Sequence, residues 1–248
     1  MPAPLGPRQP SIPTLGPEIG FPDVRHALVD PPGLLAIGGD VSPERVLSAY
    51  RSGIFPWYEA PGPVLWWSPD PRFVWLPGSL QLPKRLARTL RQRGGRTTLT
   101  IDRDFKHVLL RCGPERAGAT GTWITEAMVR CYLDLYDRGH AHSIEMSYDS
   151  VCCAGIIGLS IGGVFFAESM FSTIRDGSKI LLWALLYNLF RAGFSLVDCQ
   201  VGSSHVCALG AHGITRERYL ALLAVGLASD RGHFWQQPSL SWPETEIR

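Results

Sequence analysis

The feature that most constrains the fold is the longest apolar stretch of the chain, VCCAGIIGLSIGGVFFA at positions 151–167. A membrane-spanning helix needs about 20 apolar residues in a row, and this stretch is shorter. It is also interrupted by glycines, which are Gly155, Gly158, Gly162 and Gly163. Glycine weakens a helix but suits the tight turn of a hairpin. The stretch therefore predicts a buried β-hairpin that turns near 160–163, and no contact with a membrane is expected.

Helix and strand signals alternate on both sides of this hairpin. Strands are expected at 142–148, 153–160, 163–170 and 194–200. Helices are expected to begin at Thr125, at Ser178 and at Thr215, where Thr125 is an N-cap and 178–192 is apolar almost all round. The order helix-strand-strand-strand-helix-strand-helix predicts the α+β class, with helices packed on a sheet.

The chain before this sheet is rich in proline, glycine and tryptophan. Positions 1–20 have no apolar core of a signal peptide and predict a flexible leader, and 21–77 predicts a small N-terminal domain. A helix capped by Ser42 should end at Gly53. The next segment, IFPWYEAPGPVLWWSPDPR, holds Trp57 and two further tryptophans among five prolines. It could be a wedge between domains or a platform for stacking a base, and composition leaves both open.

A basic stripe follows. Positions 79–101 carry six basic residues and no acid, although the net charge of the whole chain is only +2. Leucines at 82, 86 and 90 recur every four residues, so a helix would bury them on one face. The outer face would present Lys84, Arg85, Arg88 and Arg91. Such a run is most often only a solvent-exposed face of a helix. A stripe that carries positive charge alone, on a protein that is otherwise nearly neutral, favours contact with phosphate groups.

Cysteine and histidine spacing argues against disulfides and metal. The six cysteines form no CxxC pair, and no secretion signal accompanies them, so reduced thiols in the cytoplasm are expected. The seven histidines show no HExxH spacing, and we expect neither a metal nor another cofactor.

Three polar residues stand at the ends of apolar strands. Glu168 follows GGVFFA, and Asp198 and Gln200 end the predicted strand 194–200. With period two, Asp198 and Gln200 would project from one face of that strand. A carboxylate beside an amide can orient an attacking amine or pass on its proton, but the same pair could serve as a structural cap.

These segments carry a specific set of motifs in a fixed order. The strings are GLLAIGGDVSPERVLSAYRSGIFPWY (33–58), LWWSPDPR (65–72), GTWI (121–124), HAHSIE (140–145), ESMFS (168–172), the Ser178-Lys179 pair, DCQ (198–200) and LGA (209–211). By them the chain resembles the bacterial leucyl/phenylalanyl-tRNA–protein transferases, over positions 21 to 225.

The resemblance implies a fold and an activity. It implies a small N-terminal domain (21–77), a basic connecting helix (78–96) and a catalytic domain similar to the GNAT acyltransferases (97–248). Such an enzyme transfers Leu or Phe, and less readily Met, from aminoacyl-tRNA to the N-terminal Arg or Lys of a protein, marking it for degradation. We expect a cytoplasmic monomer without a cofactor.

The resemblance also implies residue roles. Trp57 and Trp123 would flank the 3′-terminal adenosine of the tRNA, and the basic stripe would contact the tRNA backbone. Asp198 and Gln200 would handle the attacking amine, with Glu168 beside them. The Leu or Phe side chain would enter an apolar pocket formed by Ile156, Phe165, Met170 and Leu185. Glu168 and Glu145 are candidates for an acidic subsite that binds the basic acceptor residue.

Some positions depart from the family pattern, and two other functions compete. Ser203 stands where the family often has Asn, which affects a contact to the acceptor end or the peptide, and Ile157 stands where the family has Tyr, which affects the shape of the pocket. An acyl-CoA N-acyltransferase would need a glycine-rich pyrophosphate loop, whereas STIRDGSK after ESMF has a single glycine. A non-enzymatic tRNA-binding module would explain the tryptophans and the basic stripe but not the three polar strand ends.

Overall fold

The computed structural model describes residues 12–117 and 122–242. Most of the expected leader, 1–11, lies outside the described residues, as does Gly121 of the GTWI motif. Within the described ranges the chain forms a small four-stranded sheet and a larger seven-stranded sheet. This mixture of helices and two sheets confirms the predicted α+β class.

The small sheet is built from the N-terminal part of the chain, in the order β1-β2-β4-β3. Its strands are β1 (Thr14–Leu15), β2 (Leu34–Gly38), β3 (Phe55–Pro56) and β4 (Leu65–Trp67). Helix α1 (Pro43–Arg51) connects β2 to β3 and buries Val46, Leu47 and Tyr50, as the sequence predicts. The indole of the buried Trp66 donates a hydrogen bond to the Gly38 carbonyl, 2.9 Å away, so this tryptophan is part of the small core.

The large sheet has the order β11-β5-β10-β9-β8-β7-β6. Its strands are β5 (Arg72–Trp75), β6 (Thr97–Ile101), β7 (Ala141–Tyr148), β8 (Val151–Ile161), β9 (Val164–Ser172), β10 (Leu196–Asp198) and β11 (His212–Ile214). Strands β9 and β10 run parallel, and every other neighbouring pair in this sheet is antiparallel. After β4 the chain leaves the small sheet and forms β5, which pairs with β10 in the large sheet. The two sheets are therefore connected beside the end of β10.

The predicted hairpin is confirmed as β8 and β9, which turn at Gly162 and Gly163. Gly162 has φ +61°, and a Cβ there would lie 2.7 Å from the Leu227 carbonyl oxygen. Only glycine satisfies both conditions without strain. Apart from its first two residues and the turn at Gly162, the apolar run is buried, because its two strands lie near the centre of the sheet.

Helices cover both faces of the large sheet. They are α2 (Lys84–Arg93), α3 (Phe105–Cys112), α4 (Pro114–Ala117), α5 (Glu126–Asp137), α6 (Gly177–Arg191), α7 (Ser204–Cys207) and α8 (Arg216–Leu227). Helices α1, α3, α5 and α8 share one buried core with residues such as Ile157, whereas α2 and α6 share a second core with the neighbouring Ile156. This alternation of Ile156 and Ile157 is the period-two pattern of a strand buried on both faces.

Several predicted helix starts are confirmed. The Thr125 hydroxyl accepts a hydrogen bond from the Met128 amide, and the Thr215 hydroxyl accepts one from the Arg218 amide. Strand β6 and helix α3 have no counterpart in the sequence-based order, because neither carries a long periodic pattern. No helix in the described ranges is long and apolar enough to cross a membrane.

Candidate active site

A cavity of about 320 Å³ opens where strands β9 and β10 separate. The parallel pairing of these strands ends at Asp198 opposite Phe166, and the chain on either side then diverges. We call this space the central cavity; it is lined by Phe55, Pro56, Trp57, Trp75, Trp123, Ile156, Ala167, Glu168, Ser169, Met170, Cys199, Gln200, Val201, Ser203 and Val206. The small sheet, the segment before α5 and the large sheet all contribute to its wall.

Trp57 and Trp123 both line the central cavity. Trp57 is 48% exposed, and its carbonyl accepts a hydrogen bond of 2.8 Å from the indole of Trp67. Next to it, the Tyr58 hydroxyl lies 3.0 Å from the Thr125 hydroxyl, at the start of the helix that follows Trp123. This hydrogen bond holds the two tryptophan-bearing segments against each other, although 67 positions separate its partners.

Asp198 lies beneath the floor of the central cavity and is fully buried. Its Oδ1 accepts hydrogen bonds from Arg72 Nε at 2.9 Å and from the backbone N–H of Gln200 at 2.8 Å. Its Oδ2 accepts hydrogen bonds from Arg72 Nη2 and from the Tyr219 hydroxyl, both at 2.7 Å. The carboxylate is therefore enclosed by donors, and it is not among the groups that line the cavity.

Gln200 does not continue the strand alternation expected from the sequence. Strand β10 ends at Asp198, and Gln200 has φ +59°, so its side chain leaves in its own direction. The Gln200 side-chain amide donates a hydrogen bond of 3.1 Å to Glu168 Oε1. The pair that faces the cavity is therefore Gln200 with Glu168, and Asp198 stands behind Gln200.

Glu168 is the titratable group of this pair. The Tyr132 hydroxyl donates to its Oε2 at 3.0 Å. Burial raises the pKa of Glu168 to about 7, although the hydrogen bond from Tyr132 acts in the opposite direction. The negative charge of Asp198 contributes to the rise. A carboxyl group with this pKa can both accept and return a proton near neutral pH.

The predicted apolar pocket is only partly formed by the predicted residues. Ile156 and Met170 line the central cavity. Phe165 and Leu185 are fully buried in the core behind it, and the Phe165 ring lies 5.4 Å from the ring of Trp235. Phe165 and Leu185 therefore support the wall from behind, because each is enclosed on all sides by the core shared with α6.

Other apolar lining residues were not singled out from the sequence. They are Phe55, Pro56, Trp75, Ala167, Cys199, Val201 and Val206. Trp75 is fully buried, and its indole donates to the Leu209 carbonyl at 3.2 Å. The sequence offered one sign of this role, since Trp75 follows closely after the motif LWWSPDPR. A local pattern does not show which strand this segment pairs with, so the position of Trp75 in the cavity wall could not be predicted.

Two further spaces adjoin the central cavity. One, of about 400 Å³, shares Phe55, Trp57 and Val201 with it and is lined mainly by prolines and aromatic side chains. The other, which we call the outer groove, has a volume of about 920 Å³ and shares Met170, Ser203 and Val206. Ser203 is exposed on this boundary, where its hydroxyl caps α7. The central cavity thus has two sides from which substrates can approach.

Charged candidates outside the cavity fall in two places. Glu145 is 4% exposed and accepts hydrogen bonds from Thr100, Ser143 and the Arg103 amide, so it lies away from the central cavity. Glu115 lines the outer groove. The basic residues named for 84–91 lie on α2, with Leu86 and Leu90 buried beneath them. Leu82 lies just before the helix rather than in it.

Metal ligands and disulfides are not seen in the described part of the chain. No three His, Cys, Asp or Glu side chains come together there as a metal site would require. All six cysteines fall within the described ranges, and none forms a disulfide.

Comparisons with known proteins place most of the chain in one family. Residues 74–224 match the family model described as leucyl/phenylalanyl-tRNA protein transferase, and residues 39–70 match the model of its N-terminal domain. Proteins named leucyl/phenylalanyl-tRNA–protein transferase are similar over nearly the whole length. That of Pseudomonas putida is 46% identical, covering 91% of this chain and 96% of the relative. That of Cellvibrio japonicus is 44% identical, covering 95% and 97%.

Similarity to solved structures is looser. A GCN5-related N-acetyltransferase from Kribbella flavida has a TM-score of 0.34 at 13% identity, over 68% of this chain and 60% of the other. L-PGS from Bacillus licheniformis has a TM-score of 0.37 at 14% identity, over 70% and 56%. Overlaps this loose support no inference about activity.

Proposed function

Because the chain belongs to the leucyl/phenylalanyl-tRNA protein transferase family, we propose that it transfers a leucyl or phenylalanyl group from aminoacyl-tRNA to a protein. The observation that carries this proposal is the make-up of the central cavity. Trp57 and Trp123 offer flat apolar surfaces for a base, and Gln200 and Glu168 offer polar groups to a nucleophile in the same space.

Aromatic stacking provides the binding site for the aminoacyl-tRNA. Stacking on an aromatic side chain contributes about 1–3 kcal/mol per base and accepts any base. We assign the 3′-terminal adenosine of the tRNA to Trp57 and Trp123. The aminoacyl side chain then lies against Ile156 and Met170, together with the unpredicted Trp75. One methylene in such an apolar pocket changes selectivity by only about 1–3 kcal/mol, so Leu, Phe and Met are all accepted at graded rates.

The chemical step needs no external energy source, since the aminoacyl ester is already activated. The amine nitrogen attacks the ester carbonyl carbon, a C–N bond forms, and the C–O bond to the ribose breaks. One proton passes from the amine to the ribose oxygen. An α-amine has an ordinary pKa of about 7.7–8.0, so roughly a tenth is neutral at pH 7 without help.

We assign the proton transfer to Glu168 and the orientation of the amine to Gln200. Glu168 has a pKa of about 7 and lines the cavity. The Gln200 side chain is held by its hydrogen bond to Glu168, which leaves its carbonyl oxygen able to accept from the amine. Asp198 acts through Gln200, because its own oxygens are occupied by donors. Placing amine and ester together can supply effective molarities of about 10⁵–10⁸ M.

The acceptor is a protein that begins with Arg or Lys, and it enters from the outer groove. The tryptophans do not line this groove, so the space shared through Met170 and Ser203 remains for the second substrate. Glu168 and Glu115 are the acids along this route. Glu115 pairs with Arg111 Nε at 3.8 Å in the same groove, and we propose that the basic side chain of the first residue shares its carboxylate. The transferred residue would mark the acceptor for degradation, and we place the reaction in the cytoplasm.

The helix α2 contacts the tRNA backbone. Its basic residues include Lys84, Arg85 and Arg88, and Arg91 extends the same stripe. Contacts of this type position a nucleic acid without reading its sequence. They suit an enzyme that accepts both leucyl-tRNA and phenylalanyl-tRNA.

One assay tests the function against its alternatives. Purified protein is incubated with radiolabelled Leu-tRNA and peptides that begin with Arg, Lys or Glu, with labelled acyl-CoA as the control donor. Label from tRNA in the Arg and Lys peptides alone is the expected result. Label from acyl-CoA would indicate an N-acyltransferase, and tRNA binding without any transfer would indicate a binding module.

A further inference from the structure

Arg72 is a fully buried cation that no step of the proposed reaction uses directly. It is the first residue of β5 and is 1% exposed. Its guanidinium binds Asp198 through two nitrogens, with Nε 2.9 Å from Oδ1 and Nη2 2.7 Å from Oδ2. Its third nitrogen, Nη1, donates to the Gly53 carbonyl at 3.3 Å. A buried bidentate pair of this kind fixes the orientation of the carboxylate as well as its place.

Aromatic rings lie against the guanidinium. The Arg72 Cζ lies 4.6 Å from the centre of the Phe55 ring and 4.7 Å from that of Tyr219. The Tyr219 hydroxyl also donates to Asp198 Oδ2 at 2.7 Å. Arg72 and Tyr219 therefore form one cluster around Asp198, and we call it the arginine clamp.

The arginine clamp has one contact that leads toward the cavity. Asp198 Oδ1 accepts the backbone N–H of Gln200 at 2.8 Å. Gln200 has φ +59°, a left-handed conformation that is uncommon outside glycine and persists only where its surroundings enforce it. The hydrogen bond to Asp198 is one enforcing contact, beside the one that the Phe73 backbone N–H donates to the Gln200 carbonyl at 3.2 Å, and it depends on an Asp198 that cannot turn.

We propose that Arg72 and Tyr219 are positioning residues for aminoacyl transfer. They immobilise Asp198, Asp198 holds Gln200 in its left-handed conformation, and Gln200 thereby presents its side chain to Glu168 and the amine. This inference rests on the proposed transfer reaction. It assigns roles to two residues that never touch a substrate.

The same cluster links the donor and acceptor sides of the cavity. Gly53 and Phe55, which contact Arg72, precede the base-stacking Trp57 in the chain. Arg72 thus sets the position of the small sheet relative to Gln200. The distance between the stacked adenosine and the amine depends on this contact.

Tyr219→Phe is the central test, since it removes one hydroxyl and keeps the ring against Arg72. The rate is measured in single turnovers, with enzyme in excess over labelled aminoacyl-tRNA. Because Tyr219→Phe removes a hydrogen bond to a charged group, the rate should fall roughly 10- to 100-fold. Affinity for aminoacyl-tRNA should stay within about twofold, because the base slot is untouched. Tyr187→Phe is the matched control, since the Tyr187 hydroxyl pairs with Arg191 away from the cavity, and its rate should not change.

A double-mutant cycle separates positioning from general stability. If Tyr219 acts through Gln200, Tyr219→Phe should slow a Gln200→Ala enzyme by no more than about twofold. Arg72→Lys keeps the charge but loses the paired hydrogen bonds to Asp198 and also disturbs the contacts with Gly53 and Phe55. Its loss of rate should exceed that of Tyr219→Phe, and part of that loss should persist in the Gln200→Ala enzyme. Thermal unfolding of each variant accompanies the rates.

The outcomes are distinct. Losses that multiply in the Tyr219→Phe, Gln200→Ala double variant, or an unchanged rate for Tyr219→Phe alone, would overturn the positioning role. No transfer by the unsubstituted protein would instead refute the proposed function. Should Arg72→Lys fail to fold, the cycle with Tyr219→Phe decides the question alone.

Discussion

At the scale of single residues, Glu168 and Asp198 show how two nearby carboxyl groups acquire different tasks. Glu168 is the only acid among the described residues that line the central cavity, and burial raises its pKa to about 7. Asp198 is enclosed by Arg72, Tyr219 and the Gln200 amide. Environments that differ in this way support the roles that we propose, which are proton transfer for Glu168 and orientation for Asp198.

Substitution Glu168→Gln should change the pH dependence of transfer. The ionised form of Glu168 accepts the proton, so activity should rise as pH increases through about 7 and fall as pH decreases below it. In Glu168→Gln the inflection near pH 7 should disappear, and only deprotonation of the acceptor amine, with a pKa of about 7.7–8.0, should still raise the rate with pH. The rate at pH 7 should drop by about 10²–10⁴-fold. Single-turnover rates between about pH 5.5 and 8.5 measure this. Glu217→Gln, an exposed carboxyl on α8, is the control, and an unaltered pH profile in Glu168→Gln would contradict the assignment.

The same substitution should stabilise the protein at high pH. The pKa of Glu168 is about 7 in the folded state, above its ordinary 4.5, so the folded state binds the proton more tightly. Its contribution to stability is present below pH 4.5 and is lost as pH rises through about 7. The free energy of unfolding of Glu168→Gln should therefore exceed that of the parent by about 1–3 kcal/mol near pH 8 and by little near pH 4. Urea unfolding at both pH values checks the sign; equal differences at the two would count against it.

Trp57→Ala should weaken binding of aminoacyl-tRNA with little effect on the chemical step. Loss of one stacking surface corresponds to about 1–3 kcal/mol, which is roughly 5- to 150-fold in dissociation constant. Trp57→Phe keeps a flat ring and should retain most of the affinity. Filter binding and single-turnover rates at saturating enzyme separate the two effects. A normal affinity in Trp57→Ala would remove Trp57 from the base slot.

At the scale of elements, α2 combines a narrow apolar face with a densely basic surface. It buries Leu86 and Leu90 and carries its basic side chains on the remaining faces. The helix therefore needs only two apolar anchors to attach to the α6 side of the large sheet. Its outer face carries the basic side chains that we propose contact the tRNA backbone.

Removing charge from α2 should lower tRNA affinity equally for leucyl-tRNA and phenylalanyl-tRNA. For Lys84→Ala or Arg88→Ala, the slope of log affinity against log salt should become shallower by about 0.7–0.9 for each phosphate group that is no longer neutralised. Arg218→Ala on α8, on the other face of the sheet, is the control and should leave the slope unchanged. Binding titrations from about 50 to 300 mM salt measure it. A change confined to one of the two tRNAs would contradict a backbone contact.

At the scale of the whole molecule, the central cavity exists only because two sheets meet. The small sheet leads into Trp57, α5 follows Trp123, and the large sheet supplies Glu168 and leads into Gln200. The contacts of Arg72 with Gly53 and of Tyr58 with Thr125 cross between these parts. In the reaction that we propose, these contacts hold Trp57 and Trp123 at a constant distance from the amine.

Tyr58→Phe should weaken the contact between the segments that carry Trp57 and Trp123 without removing either tryptophan. The hydrogen bond to the Thr125 hydroxyl corresponds to about 0.5–1.5 kcal/mol, so without it the affinity for aminoacyl-tRNA should fall by roughly 2- to 12-fold. Thr125 still caps α5 through the Met128 amide, so the helix should remain folded. Circular dichroism checks the helix, and filter binding checks the affinity. An affinity equal to the parent's would show that the two walls are aligned by other contacts.

Local patterns in the sequence determined a large part of this protein. The glycine-interrupted apolar run specified the central hairpin, because strand and turn preferences act over a few neighbouring residues. Thr125 and Thr215 marked helix starts for the same reason. The order of motifs indicated the family, and charge density alone indicated the stripe on α2.

Only the tertiary structure decided which of the candidate side chains face the central cavity and which lie behind its wall. Arg72 and Asp198 are 126 positions apart, and their pairing depends on the register of β5 against β10, which no local pattern encodes. That pairing turns Asp198 away from the cavity and leaves Glu168 with Gln200 at its surface. Phe165 and Leu185 have the right chemistry for a pocket, yet the packing of α6 places them behind its wall. Periodicity shows that a side chain is buried, but the fold of the whole chain determines what it is buried against.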